Sequence, residues 1–133
     1  MEKMTKYLTE YDAIVTTLEH YINGLRAGNS ELMRPGFHSD ALLVGYVSGT
    51  LLFGPIQQLF DWVDANGSAP DIEPSFASIE IIESIAVVRL EVKQLSGKLA
   101  GSGAHMSDLF SLIKTEEGWK ISQKEFHWHS QQA

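Results

Sequence analysis

The chain has 133 residues, 44% of them hydrophobic and 20% charged, which fits one globular domain rather than two domains or a disordered chain. Lys and Arg total 10 against 17 Asp and Glu, a formal charge of -7, and the cations are scattered, so nucleic acid is a poor partner. The absence of Cys excludes disulfides, thiolate catalysis and Cys-held metal centres, and no apolar run approaches the ~20 residues of a membrane span.

Tyr7, Tyr11, Ile14, Leu18, Tyr21 and Leu25 recur at alternating spacings of four and three, which predicts a long amphipathic helix ended by Gly28. Residues 30–34 read as one further helical turn stopped by Pro35. Ala41 to Val47 reads as a strand, Ser48-Gly49 as a turn, and Leu51-Leu52-Phe53 as a short apolar run. Gly54-Pro55 places Pro at the first position of another helix, with Ile56, Leu59, Phe60 and Val63 on one face. Asn66 to Pro74 is a loop by composition, and beyond it the period changes from helical to alternating.

Phe76 to Glu83 and Ile85 to Leu95 read as two strands, with Val88, Leu90 and Val92 on one face of the second. Ser96-Gly97 opens a turn, and Gly97, Gly101 and Gly103 form a Gly/Ser connection without the strand-to-helix context of a dinucleotide site. Ala104 to Lys114 and Trp119 to Trp128 form a hairpin across residues 115–118. No linker divides the chain, so residues 1–133 are expected to be one α+β domain with helices packed on one face of a curved sheet. Such a sheet leaves a pocket at its open end, where function is expected. No basic-then-apolar signal opens the chain, and a cytoplasmic location is expected.

The runs Tyr21-Ile22-Asn23-Gly24-Leu25-Arg26-Ala27-Gly28-Asn29, Phe37-His38-Ser39-Asp40-Ala41, Gly54-Pro55-Ile56 and Gly118-Trp119-Lys120-Ile121 occur in an order that resembles the nuclear transport factor 2-like superfamily. Within it the chain is most similar to the lumazine-binding group, and the match runs from Tyr21 to Phe126. The resemblance implies a cone-shaped barrel of a mostly antiparallel sheet around a long N-terminal helix with two shorter helices. It also implies a homodimer through the sheet's outer face. It implies no single activity, because this fold carries enzymes, binders and association modules alike.

Set against ketosteroid isomerase, a member of the superfamily, Tyr21 and Asp108 fall on its two oxyanion donors and Gly45 falls on its general base. Glycine cannot take a proton, so that reaction is not carried over, and whether the chain is an enzyme stays open. Tyr21 has an equally simple reading as a core side chain whose hydroxyl needs one partner. Asp108 is more telling. Alternation places it with Met106, Phe110 and Leu112, and a carboxyl on an apolar face has its pKa raised unless a partner charge intervenes.

Tyr21 and Asp108 are therefore the candidate catalytic residues, and His38, Asp40, Phe53, Trp62, Phe110 and Trp128 the candidate ligand-binding ones. Asp40 also suits a turn, and His38 a loop decoration. His105 falls opposite Asp108, on a solvent or dimer face. His127 and His129 share a face, but no third ligand is evident, so no metal and no cofactor are expected. Two functions fit: a binder of a small hydrophobic or aromatic ligand, with a weak isomerase, dehydratase or cyclase activity on a carbonyl compound left open, or a non-catalytic dimerisation or protein-interaction module with a filled barrel. Cavity volume separates them.

Overall fold

The alternating four-and-three spacing becomes a 26-residue helix, α1 (Glu2–Ala27), in the computed structural model, which describes residues 2–99 and 104–129. Its inner stripe of Ile14, Leu18, Tyr21 and Leu25 is at most 2% exposed. Burying each such side chain contributes about 1.5–3 kcal/mol before ordering costs. Gly28 ends the helix with φ +65, while the Asn29 N–H donates to Gly24 O and the Gly28 N–H to Leu25 O. A Cβ at Gly28 would also collide with the Gly67–Ser68 backbone, so this position needs glycine twice over.

The expected helical turn after α1 is a pair of 3-10 turns, Ser30–Leu32 and Arg34–Gly36, and Pro35 lies within the second of them rather than stopping the first. Strands β1 (Phe37–Val47) and β2 (Thr50–Pro55) form a hairpin, so Pro55 closes a strand and helix α2 (Gln57–Asn66) starts only after it. Strands β3 (Glu73–Ile82), β4 (Ile85–Lys93), β5 (His105–Thr115) and β6 (Gly118–His129) follow. The Gly97 turn is a 3-10 turn, Gly97–Leu99; Gly101 and Gly103 lie outside the described residues.

The six strands make one sheet in the order β2-β1-β6-β5-β4-β3. The β1–β6 pair is parallel and the others are antiparallel. The sheet curves over α1 and α2 but does not close, so the expected barrel is an open cone with β2 and β3 as its edges. No helix among the described residues is long and apolar enough to cross a membrane.

Two irregularities position the site. Between Ser111 and Leu112 of β5 the partner on β6 jumps from Gln123 to Ile121, leaving Ser122 as an extra residue. Trp119 and Ile121 face the core on one side of that bulge; Lys124, Phe126 and Trp128 face it on the other. At β1, Gly45 opposes Phe126, and a Cβ there would run into the Phe126 carbonyl oxygen and ring. Phe126 of β6 thus leaves no room for a side chain at Gly45.

Candidate functional site

Alternation along β5 puts Met106, Asp108, Phe110 and Leu112 inward, all buried, with Asp108 fully so. Tyr21 comes from the C-terminal part of α1 and is also fully buried, edge-on to Phe110 at 5.1 Å between ring centres. Its hydroxyl donates to Asp108 Oδ2 at 3.2 Å. The sequence-predicted pair therefore meets.

Lys124, carried inward by the β6 bulge, completes a triad. It is 1% exposed, and its Nζ stands 3.3 Å from Asp108 Oδ1. Oδ1 accepts no well-aligned hydrogen bond, so charge rather than a directed bond holds the pair. The ammonium also donates to Met106 Sδ at 3.5 Å and lies 4.5 Å from the centre of the Phe126 ring.

Burial pushes the Asp108 carboxyl up, and the neighbouring Lys124 ammonium, with the Tyr21 hydroxyl, pulls it back. Burial pushes the Lys124 amine down, and the Asp108 charge opposes this. Tyr21 is raised well above its ordinary value by burial and by the neighbouring carboxylate, so it stays a donor. Burial thus favours the neutral forms of Asp108 and Lys124 while their mutual attraction favours the charged ones, the circumstance in which a buried amine can act as a base.

Lys124 lines a cavity of about 530 Å³. Its apolar wall includes Leu43, Leu59, Met106, Phe126 and the edge-to-face pair Trp62 and Trp128, 6.0 Å apart; Ser48, Thr50 and Gln58 supply polar groups. Tyr21 and Asp108 do not line it. They stand behind Lys124, so they touch a ligand only through it. A larger cleft of about 650 Å³ lies between the start of α1 and the β3–β4 turn, but it is more open, and its Glu10 and Lys114 already pair at 2.7 Å.

Of the expected ligand-binding side chains, Trp62 and Trp128 line the 530 Å³ cavity and four do not. Phe53 pairs with Val44 on the outer face of the sheet and is 65% exposed. Phe110 lies in the core against Tyr21. His38 accepts the Asp40 N–H on Nδ1 at 3.0 Å and borders a separate small cleft with Arg34 and Phe60, while Asp40 is exposed on β1. Lys124 and Phe126, which the sequence reading missed, also line that cavity. The signal that would have found Lys124 was Lys inside a strand two residues before Phe126 and four before Trp128, both apolar and on its face.

Comparison with known proteins adds four findings. The family model described as "Putative lumazine-binding" matches residues 9–127. Aldolase FrzH of Cladobotryum sp is 30% identical over 126 residues, which cover 93% of this chain and 97% of the relative. Two NTF2-like proteins of unknown function, from Methylobacillus flagellatus and Shewanella baltica, are each 35% identical with a TM-score of 0.83. The alignments cover 92% of this chain and 94% of the first, and 93% and 97% for the second. A ketosteroid isomerase-like protein from Erwinia carotovora shares the fold at a TM-score of 0.69 and 17% identity, covering 90% of this chain and 95% of that one.

Proposed function

The chain belongs to the lumazine-binding family and has the nuclear transport factor 2-like fold, and from that premise we propose that it binds a hydrophobic carbonyl compound in the 530 Å³ cavity and moves a proton on the carbon next to the carbonyl. The observation that carries this reading is Lys124, buried against Asp108 in the wall of an aromatic-lined cavity. In its amine form Lys124 takes the α proton of the ligand. The enolate so formed lies beside the new ammonium, which hydrogen-bonds the enolate oxygen. Asp108 stabilises that ammonium and Tyr21 fixes the carboxylate, so both are positioning residues acting through Lys124.

Isomerisation, dehydration and aldol-type carbon–carbon bond formation all pass through such an enolate. A relative named as an aldolase, 30% identical over nearly its whole length, supports that class. A ligand-free association module is less well supported, because a filled cone has no room for a cavity of this volume.

The binding half is tested with 1-tetralone, an aryl ketone of suitable size and polarity. Because Trp62 and Trp128 face the cavity, titration is expected to change their fluorescence with saturation. A Leu59→Trp variant, which fills the space, is expected to weaken that binding more than about tenfold. A non-saturable signal, or equal affinity in Leu59→Trp, would remove the cavity from the proposal.

The outer face of the sheet carries Tyr46, Leu51, Phe53, Val87 and Leu109, each at least 44% exposed. A second copy of this chain is the proposed occupant, in line with the family resemblance. Sedimentation at micromolar concentration is expected to give twice the monomer mass, and Leu109→Glu to shift the chain toward monomer. A wild-type monomer at that concentration would end this part of the proposal.

A further inference from the structure

A second cluster lies on the opposite face of the sheet from Lys124. Registration places Glu91 of β4 beside Ser107 of β5, and His105 of β5 beside His129 of β6. All three chemistry-bearing side chains point outward by strand alternation, away from Asp108. His105 Nε2 is 2.8 Å from Glu91 Oε1, and the ligand atoms of Glu91, His105 and His129 lie within 4.8 Å of one another. The two imidazoles stack at 4.4 Å with 25° between their planes.

Ser107 Oγ ties the group together, 2.6 Å from Glu91 Oε1 and 2.8 Å from His129 Nε2. Arg89 Nε holds the other carboxylate oxygen, Glu91 Oε2, at 2.9 Å and so fixes its orientation. His127 is the neighbouring ring, 5.0 Å from His129. The expectation of no metal rested on the lack of a third ligand beside His127 and His129; the fold supplies Glu91 and His105 from neighbouring strands.

We propose that Glu91, His105 and His129 form a binding site for a borderline divalent cation of the Zn²⁺ class on the outer face of the sheet. Two imidazole nitrogens and one carboxylate oxygen are the donors such an ion prefers, and three protein ligands leave a position for water or an exogenous group. Hard cations such as Mg²⁺ favour oxygen donors and octahedral geometry, so this set selects against them. Three adjacent strands hold the donors, so little backbone rearrangement is needed. The ion would replace the contact between His105 Nε2 and Glu91 Oε1, with small rotations of the two rings.

The test is calorimetric titration of the full, untagged chain with Zn²⁺ after dialysis against chelator. Saturable binding of one ion per chain is expected. His105→Ala and His129→Ala should each weaken it more than about tenfold, His20→Gln should leave it unchanged, and Mg²⁺ should give no saturable heat. Circular dichroism checks that the variants fold, and Zn²⁺ is expected to raise the melting temperature of the wild type but not of the His105→Ala/His129→Ala double variant. No saturable binding up to ~1 mM Zn²⁺, or the same affinity in the double variant, would overturn the site.

Discussion

Lys124→Met is expected to slow the exchange of the α protons of 1-tetralone in heavy water by about a hundred- to ten-thousand-fold, the range that a positioned base contributes. Met has nearly the same length and apolar volume, so it keeps the cavity wall formed with Met106 and Phe126 while removing the amine. The substitution also strands the Asp108 carboxylate, so the rate must be compared where circular dichroism shows a folded variant. The Asp108→Asn/Lys124→Met double variant, with no stranded charge, should be equally slow. Asp108→Asn alone should exchange with an altered pH profile, because Asp108 no longer holds the Lys124 amine up. Exchange catalysed by Lys124→Met at the wild-type rate would exclude Lys124 as the base. Wild-type exchange at the buffer rate, with saturable binding, would leave a binder without catalysis.

The second large effect is on stability. Removing one partner of a fully buried ion pair costs about 3–5 kcal/mol, whereas removing both together is close to neutral. Lys124→Met is thus expected to lose about that much in urea unfolding at neutral pH, and the double variant to recover most of it.

The single variants should also respond to pH with opposite signs. In Lys124→Met, burial raises the Asp108 pKa with no opposing cation, so the folded state prefers the neutral acid. Its stability should be greatest below the ordinary carboxyl value of 3.8 and fall as pH rises through the folded value. In Asp108→Asn, burial lowers the Lys124 pKa unopposed, so the folded state prefers the neutral amine. That variant should gain stability as pH rises toward 10.5. Parallel pH slopes in the two variants, or additive losses in the double, would mean that the groups do not form a coupled pair.

The local pattern sufficed wherever one period governed a whole element. In α1 the four-and-three spacing predicted the buried stripe through Tyr21 and Leu25, because helical geometry alone puts those side chains on one face. In β5 the two-residue alternation placed Asp108 inward and His105 outward, and the unbroken stretch from His105 to Ser111 kept that parity. The family resemblance was legible for the same reason: it rests on turns and helix ends that are fixed locally.

The tertiary structure decided the rest. On β6 a straight alternation from Trp119 and Ile121 would send Lys124 to solvent, but the extra residue Ser122 reverses the parity and buries it. A bulge forms where two paired strands must differ in length around a curved sheet, so the partner strand sets it. Phe53 turned outward because its register with Val44, not its hydrophobicity, fixes its face. Glu91, His105 and His129 are 14 and 24 residues apart along the chain, and only the lateral order β4-β5-β6 brings their ligand atoms within 4.8 Å of one another. Periodicity determined which residues are buried within each regular stretch. Pairing between strands, a long-range property, determined which buried and exposed groups meet, and so where the chemistry can occur.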